Sequence, residues 1–150
     1  MTLHPRSAHC VITTILLLIL ATTYRSADAA DYVSWLAVRY PDQGVKTFLQ
    51  GPYKSKARCD QLNQSTWDNV LTACGTCRAE EKFCSRADEL KDVYTKALRK
   101  ERAAYPYVIA TPEGRIIISG VSTSVAVAEC QRLAENFRSN GYLDARCVLP

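Results

Sequence analysis

Three cysteines lie close together in the stretch VLTACGTCRAEEKFC, and the first two, Cys74 and Cys77, form a C-x-x-C motif. Two thiols at this spacing could act as a thioredoxin-like redox pair, in which a following helix lowers the pKa of the first thiol. Together with Cys59 and Cys84 they could instead form a four-thiolate zinc site. The third possibility is that all of these cysteines form structural disulfides.

The cellular compartment of the chain decides between these chemistries. After a basic start at Arg6, residues 10–21 form an uncharged apolar run, and Ala27-Asp28-Ala29 matches the small-x-small pattern of a signal-peptidase site. We therefore predict that residues 1–30 are a secretory signal. An uncleaved anchor is the less favoured alternative, because spanning a membrane takes about 20 apolar residues. Residues 31–150 would then form one periplasmic or secreted domain.

Export favours disulfides, because the periplasm and the extracellular space are oxidising. Cys10 lies in the predicted signal, and an even number of cysteines remains in the exported part, which is typical of a disulfide framework. We therefore predict structural disulfides and no bound metal ion or other cofactor. The cysteines concerned are Cys59, Cys74, Cys77, Cys84, Cys130 and Cys147.

Histidine is missing from the predicted mature domain, because His4 and His9 both lie in the signal. Its absence excludes Ser-His-Asp and Cys-His catalysis and histidine-based zinc catalysis. Residues 31–150 contain 17 basic and 14 acidic residues, which interleave along the sequence. Nucleic-acid binding requires a clustered basic patch. We therefore predict no catalytic residue and no nucleic-acid partner.

The exported domain contains a weak internal repeat. Copy one, residues 31–77, and copy two, residues 105–149, each begin with two apolar runs joined by a turn that contains proline and glycine. This arrangement predicts a β-hairpin in each copy. A helix with the pattern A-x-C-x-x-L follows each hairpin, and Pro41 precedes Cys59 by the same interval as Pro112 precedes Cys130.

A helix is predicted between the two copies, over residues 85–103. Ser85 and Asp88 match a capping box at its start. Its charged run, residues 99–102, is predicted to be a solvated helix end. The whole order predicts an α+β fold: two ββαβ-like units, an antiparallel sheet, and helices on one face of that sheet.

The second copy predicts one cysteine pair. Cys130 lies on the apolar face of the helix, and Cys147 lies on the inward face of the strand Leu143–Leu149. Both therefore point into the same core, and we expect them to bond. The repeat predicts the matching bridge in copy one from Cys59 to either Cys74 or Cys77, which leaves the remaining two cysteines of that half to pair.

The stretch FLQGPYKSKARCDQL, and more loosely RIIISGVSTSVAVAECQRLAENFRSNGYLDARCVL, resembles the sporulation-related repeat (SPOR) domain. Gly51-Pro52-Tyr53 matches the Gly-Pro-aromatic strand end of that family. The resemblance implies a ferredoxin-like fold that binds peptidoglycan glycan strands, with Gly51, Pro52 and Tyr53 as candidate ligand-binding residues. The cysteines and the inserted helix depart from the family pattern.

These features predict an exported, non-enzymatic binding module of the bacterial envelope whose ligand is a glycan or a protein partner. A thiol-disulfide oxidoreductase that uses Cys74 and Cys77 is the first alternative. A membrane-anchored accessory subunit of an envelope complex is the second alternative, and it would contact the membrane only if the signal is not cleaved.

Overall fold

A computed structural model describes residues 31–150 as an α+β fold; the predicted signal, residues 1–30, lies outside the described residues. The strands are β1 (Tyr32–Tyr40), β2 (Gly44–Tyr53), β3 (Arg78–Arg86), β4 (Tyr107–Ile109), β5 (Gly114–Ser119) and β6 (Arg146–Val148). The helices are α1 (Lys56–Ala73), α2 (Asp92–Leu98) and α3 (Thr123–Ser139). The strands form one antiparallel sheet in the order β3-β1-β2-β5-β4-β6.

Helices cover both faces of the sheet, so the prediction that they lie on one face is wrong. Cys130 of α3 packs with Val108 and Ile116 on one face, whereas Ala97 of α2 packs with Ile117 on the opposite face. The reason lies in β5, where consecutive isoleucines are buried on both sides of the strand. A strand that is apolar on both sides must be covered on both sides.

Helix α1 lies on the same face as α3 and begins directly after Ser55. The Oγ of Ser55 accepts a hydrogen bond from the backbone N–H of Arg58 at 3.2 Å, which caps the helix. The buried amide of Asn63 fixes the middle of α1 to the sheet by donating to the Ser34 hydroxyl and to the Trp35 carbonyl. These bonds seat α1 over β1 although the helix buries few apolar side chains.

The segment between the two hairpin-helix units differs from the predicted helix over residues 85–103. Arg78–Arg86 is strand β3, paired antiparallel with β1, so Ser85 lies in a strand and caps nothing. Strand β3 begins directly after Cys77, the residue at which the predicted first copy ends. Strand β1 is buried from Val33 to Val38 and needs a partner on its outer edge. Pairing with β1 overrides the local helix signal.

The last strand is also shorter than predicted. Only Arg146–Val148 pairs with β4, and Leu143 and Leu149 are exposed although they were expected to face inward. The N–H of Ala145 donates to the Tyr142 carbonyl at 2.9 Å, which closes a turn just before the strand. This turn leaves Leu143 facing solvent. Within residues 31–150, no helix has the length and apolar character needed to cross a membrane.

Candidate functional site

The cysteines form three pairs at disulfide distance: Cys59–Cys84, Cys74–Cys77 and Cys130–Cys147. The last pair joins α3 to β6, as the second copy predicts. The prediction that Cys59 bonds to Cys74 or Cys77 is wrong. Because β3 pairs with β1, Cys84 stands opposite Ser34, on the face that α1 covers, and Cys59 of α1 lies beside it.

The C-x-x-C motif lies at the wrong end of a helix for a reactive thiol. Cys74 is the C-terminal cap of α1, and the N–H of Cys77 donates to the Cys74 carbonyl at 3.1 Å. The sequence predicted a following helix, but strand β3 follows instead. A helix C-terminus is the negative end of the helix dipole and disfavours a thiolate, whereas redox cysteines use the N-terminus. The pair therefore closes a tight turn between α1 and β3.

A four-thiolate zinc site is not assembled either. Cys59 lies near the start of α1 and Cys74 at its end, which places them on the order of 20 Å apart at 1.5 Å per residue. Within the described part of the chain, no group of three or more His, Cys, Asp or Glu side chains could hold a metal ion. The cysteines thus supply covalent links between helices and strands.

A groove lies at the end of the sheet where β2 ends and β5 begins. It consists of two adjoining cavities of about 490 and 410 Å³, which share Lys100 and Pro112 as lining residues. The larger cavity lies between the β4–β5 turn and the segment that contains Tyr142. The smaller one lies between Gly51 and the end of α2. We call the combined space the cap groove, because Lys100 directly follows the C-terminal cap of α2.

Two of the three residues that the SPOR resemblance indicated line the cap groove. Gly51 and Pro52 border the smaller cavity, whereas Tyr53 is outside the lining. Gly51 has a φ of 145°, and a Cβ at this position would stand 2.9 Å from the Tyr32 carbonyl oxygen, so only glycine fits. The N–H of Gly51 also donates to the Glu113 carbonyl at 3.2 Å, which ties the end of β2 to the β4–β5 turn.

The cap groove is lined by more positive than negative charge. Its acidic residues are Asp31, which pairs with Lys54 at 2.6 Å, and Asp144. Its basic residues are Arg99, Lys100, Arg115 and Arg146. None of these basic side chains forms an ion pair with a carboxylate in the described residues. The groove therefore carries more positive than negative charge, and its basic side chains have no ion-pair partner in the described residues.

Arg115 lies at the floor of the cap groove and is buried, with 4% of its surface exposed. Its Nε donates to the Ala97 carbonyl of α2 at 3.2 Å. Its other nitrogens donate at 2.8 to 3.1 Å to the carbonyls of Thr111, Pro112 and Gly114. Burial, and to a smaller extent the positive Arg146, lower the pKa of Arg115, but arginine stays protonated at neutral pH. The carbonyls satisfy its hydrogen bonds without cancelling its charge.

The sheet register places two of the arginines in one row. Arg115 of β5 and Arg146 of β6 both stand opposite Ile109 of β4, so all three side chains share a face. Two strand spacings separate the arginine backbones, which corresponds to about 10 Å. The row runs across the sheet along the floor of the cap groove.

Lys100 occupies an unusual backbone position at the centre of the cap groove. Its φ is 63°, and its N–H donates to the Ala97 carbonyl at 3.2 Å. The N–H of Glu101 donates to the Lys96 carbonyl at 2.9 Å. These two bonds define a Schellman motif, in which the left-handed residue after the helix cap is usually glycine. Asp42 is the other residue with a side chain and a positive φ in the described range.

Sequence reasoning missed most of these groove residues. It predicted the charged run at residues 99–102 to be a solvated helix end, yet Arg99 and Lys100 line the groove. Tyr142 and Leu143 line the larger cavity with 49% and 79% of their surface exposed, but neither was predicted as a site residue, and Leu143 was predicted to face inward. The absence of glycine or asparagine after the apolar stripe of α2 was the one sign that could have drawn attention to Lys100.

Comparison with protein-family models, with curated proteins and with solved structures finds no match to this chain. The resemblance to SPOR domains therefore stays a prediction. The cap groove, with its unpaired cations and its exposed tyrosine, is the strongest candidate for a functional site among residues 31–150.

Proposed function

We propose that this chain is an exported, non-enzymatic binding module and that the cap groove binds a glycan. The observation that carries the proposal is the groove itself, which joins two cavities and combines cations with the exposed Tyr142. Ligand sites join an apolar or aromatic wall to a few polar groups that fix orientation. The tyrosine ring offers an apolar face together with a polar tip, which suits a sugar ring.

The position of the C-x-x-C motif favours a binding role over the oxidoreductase alternative. That alternative needs a low-pKa thiol at Cys74 or Cys77, and the position at the C-terminal end of α1 argues against it. The predicted mature domain also lacks histidine, the commonest general acid or base. We therefore assign the six cysteines to stability and no residue to catalysis.

The envelope location rests on separate support. The three cysteine pairs favour an oxidising compartment, either periplasmic or secreted. The bacterial envelope, and peptidoglycan as the source of the glycan, follow from the SPOR resemblance of Gly51-Pro52-Tyr53. A membrane-anchored accessory subunit requires an uncleaved signal, and fractionation of the expressed protein between membrane and soluble fractions separates these two possibilities.

We also infer that the two hairpin-helix-strand units arose by duplication. The strand orders β3-β1-β2 and β6-β4-β5 support this inference, because corresponding strands occupy corresponding places and β2 pairs with β5 at the centre. The pairs Cys59–Cys84 and Cys130–Cys147 support it further, since each joins the helix of its unit to the third strand. The repeat signal thus extends to the cysteines once Cys84 is taken as the closing residue.

The proposal is tested by retention on peptidoglycan glycan strands freed of peptide. Residues 31–150, expressed with oxidised cysteines, should bind, and Tyr142→Ala should weaken binding about tenfold, equal to about 1.4 kcal/mol. Tyr105→Ala is the matched control, because Tyr105 has 46% of its surface exposed but does not line the groove. No retention of the unmodified protein, or equal loss in both variants, would contradict the proposal.

A further inference from the structure

We infer that the cap groove selects a carboxylate-bearing glycan and that Lys100 is the side chain that recognises the carboxylate. This inference rests on the proposed function, because it specifies the charge of the ligand at the same groove. It is carried by three observations: the gathering of basic side chains without ion pairs around the groove, the backbone of Lys100, and the row formed by Arg115 and Arg146.

Four basic side chains line the cap groove, and none of them forms an ion pair with a carboxylate in the described residues, whereas elsewhere in residues 31–150 some basic side chains are paired and others are not. Outside it, basic side chains stand within 4.0 Å of carboxylates in the pairs Arg39–Glu80, Lys46–Glu129, Lys56–Asp60, Arg86–Asp88, Lys96–Asp92 and Arg132–Glu129. Inside the groove, Arg99, Lys100 and Arg146 form none with any residue from 31 to 150. Gathered like charges repel each other, and an anionic ligand is the species that would relieve this repulsion.

The backbone conformation of Lys100 also supports a binding role for this residue. Its left-handed conformation suits glycine, so a lysine at this position is held against local preference. Its side chain has no hydrogen-bond or ion-pair partner in the described chain that would account for a lysine there. Residues held in disfavoured conformations cluster at binding sites, where the surrounding structure fixes them. The Schellman motif holds the Lys100 backbone at the junction of the two cavities.

The two arginines of the row would interact with a ligand in different ways. Arg115 is buried and uses its nitrogens on backbone carbonyls, so it contributes positive field from below. Arg146 is exposed and keeps its planar donors available for a carboxylate, which arginine binds in a two-bonded geometry. A glycan that carries carboxylates at intervals along its length could therefore meet Lys100 and Arg146 within one groove.

The test compares two oligosaccharides with the same backbone and a different charge: oligogalacturonate and its methyl ester. Poly-L-glutamate is the third probe, because it presents carboxylates without a sugar. Each is titrated at low salt against residues 31–150 and against three variants. Lys100→Gly removes the positive charge and also removes the conformational strain at the left-handed backbone position. Lys100→Arg keeps the charge and the strain. Asp42→Gly removes the strain at the other non-glycine residue with a positive φ in the described chain, which lies in a remote turn.

We expect oligogalacturonate to bind at least tenfold more tightly than its methyl ester. Lys100→Gly should weaken this binding about tenfold and at the same time raise the melting temperature by about 3 °C. Asp42→Gly should raise the melting temperature without changing the affinity, and Lys100→Arg should keep most of the affinity. Weaker binding combined with higher stability is a result that a purely structural role for Lys100 does not produce.

The remaining outcomes separate this inference from the proposed function. Equal binding of the oligosaccharide and its ester, unchanged by Lys100→Gly, overturns the inference and leaves glycan binding intact. Binding of poly-L-glutamate alone shows recognition of carboxylates without a sugar and overturns the inference that the ligand is a carboxylate-bearing glycan. No binding of any of the three probes overturns the inference, and retention on peptidoglycan glycan strands then decides the proposed function separately.

Discussion

Lys46 and Lys100 show two opposite ways in which this domain uses a lysine. Lys46 of β2 is buried, and its Nζ stands 2.6 Å from Glu129 of α3 and 4.0 Å from the centroid of the Tyr40 ring. It also donates to the side-chain oxygen of Gln43 at 2.7 Å. Lys100 lies on the surface at a strained cap and forms no ion pair in the described residues. One lysine is fully satisfied by the fold, and the other is not.

The difference follows from the cost of desolvating a charge. An unpaired charge in the interior is expensive, so a buried lysine persists only with a close counter-charge and hydrogen bonds. An unpaired charge in a groove remains solvated and costs little until a ligand covers it. Arg115 stands between the two cases, because its hydrogen bonds are satisfied and its charge is not. The comparison predicts large stability effects at Lys46 and Arg115 and small ones at Lys100.

Removal of the buried carboxylate should have the largest effect. Glu129→Ala leaves Lys46 buried without a counter-charge, and we expect the free energy of unfolding to fall by about 3 kcal/mol. Chemical denaturation with circular dichroism measures this change. The matched control is Lys46→Met combined with Glu129→Leu, which removes both charges and should recover most of the loss. A loss below about 0.5 kcal/mol for Glu129→Ala would mean that the pair is not desolvated.

Removal of the Arg115 guanidinium should have the next largest effect. Arg115→Met keeps an apolar side chain in the sheet but removes four charge-assisted hydrogen bonds, to the carbonyls of Ala97, Thr111, Pro112 and Gly114. Because hydrogen bonds from a charged donor contribute to the free energy of unfolding, we expect a loss of about 2 kcal/mol. Arg146→Met, an exposed arginine in the same row, should change stability by less than about 0.5 kcal/mol. Equal losses of stability at the two positions would contradict the distinction between the buried Arg115 and the exposed Arg146.

The parts of the fold that could be predicted from the sequence are those determined by local patterns. The hairpins at Pro41 and Pro112 follow from turn residues between apolar runs, and the Ser55 cap follows from a short polar side chain before a helix. The Cys130–Cys147 pair follows from the helix and strand periods of adjacent elements. Each of these features needs only neighbouring residues.

Strand β3 and the cap groove could not be predicted, because they depend on distant pairing. The sequence RAEEKFCSR is charged and mostly exposed, and it is a strand only because β1 needs a partner on its outer edge. The groove is lined by Arg99, which follows α2, and by Arg146 of β6. Arg146 reaches the groove only because β6 pairs with β4, and no local sequence pattern predicts that pairing. The left-handed backbone of Lys100 likewise depends on the Schellman motif that ends α2.

Acid should weaken the Lys46–Glu129 region and leave the Lys100 region unaffected. Hydrogen bonds from Arg132, outweighing the opposing effect of burial, and then from Lys46 hold the pKa of Glu129 below its ordinary value of about 4.3 in the folded state. A lowered pKa means that the ionised group stabilises the fold at pH values above that ordinary value, and that this contribution is lost as the pH falls through the lowered folded pKa.

The melting temperatures of the unmodified protein and of Glu129→Gln should therefore differ by a constant amount from pH 7 to about pH 5 and converge below about pH 4. Lys100→Gly should differ from the unmodified protein by the same small amount at every pH in this range, because its effect comes from the backbone. A gap for Glu129→Gln that persists unchanged to pH 3 would show that the buried carboxylate does not contribute through its charge.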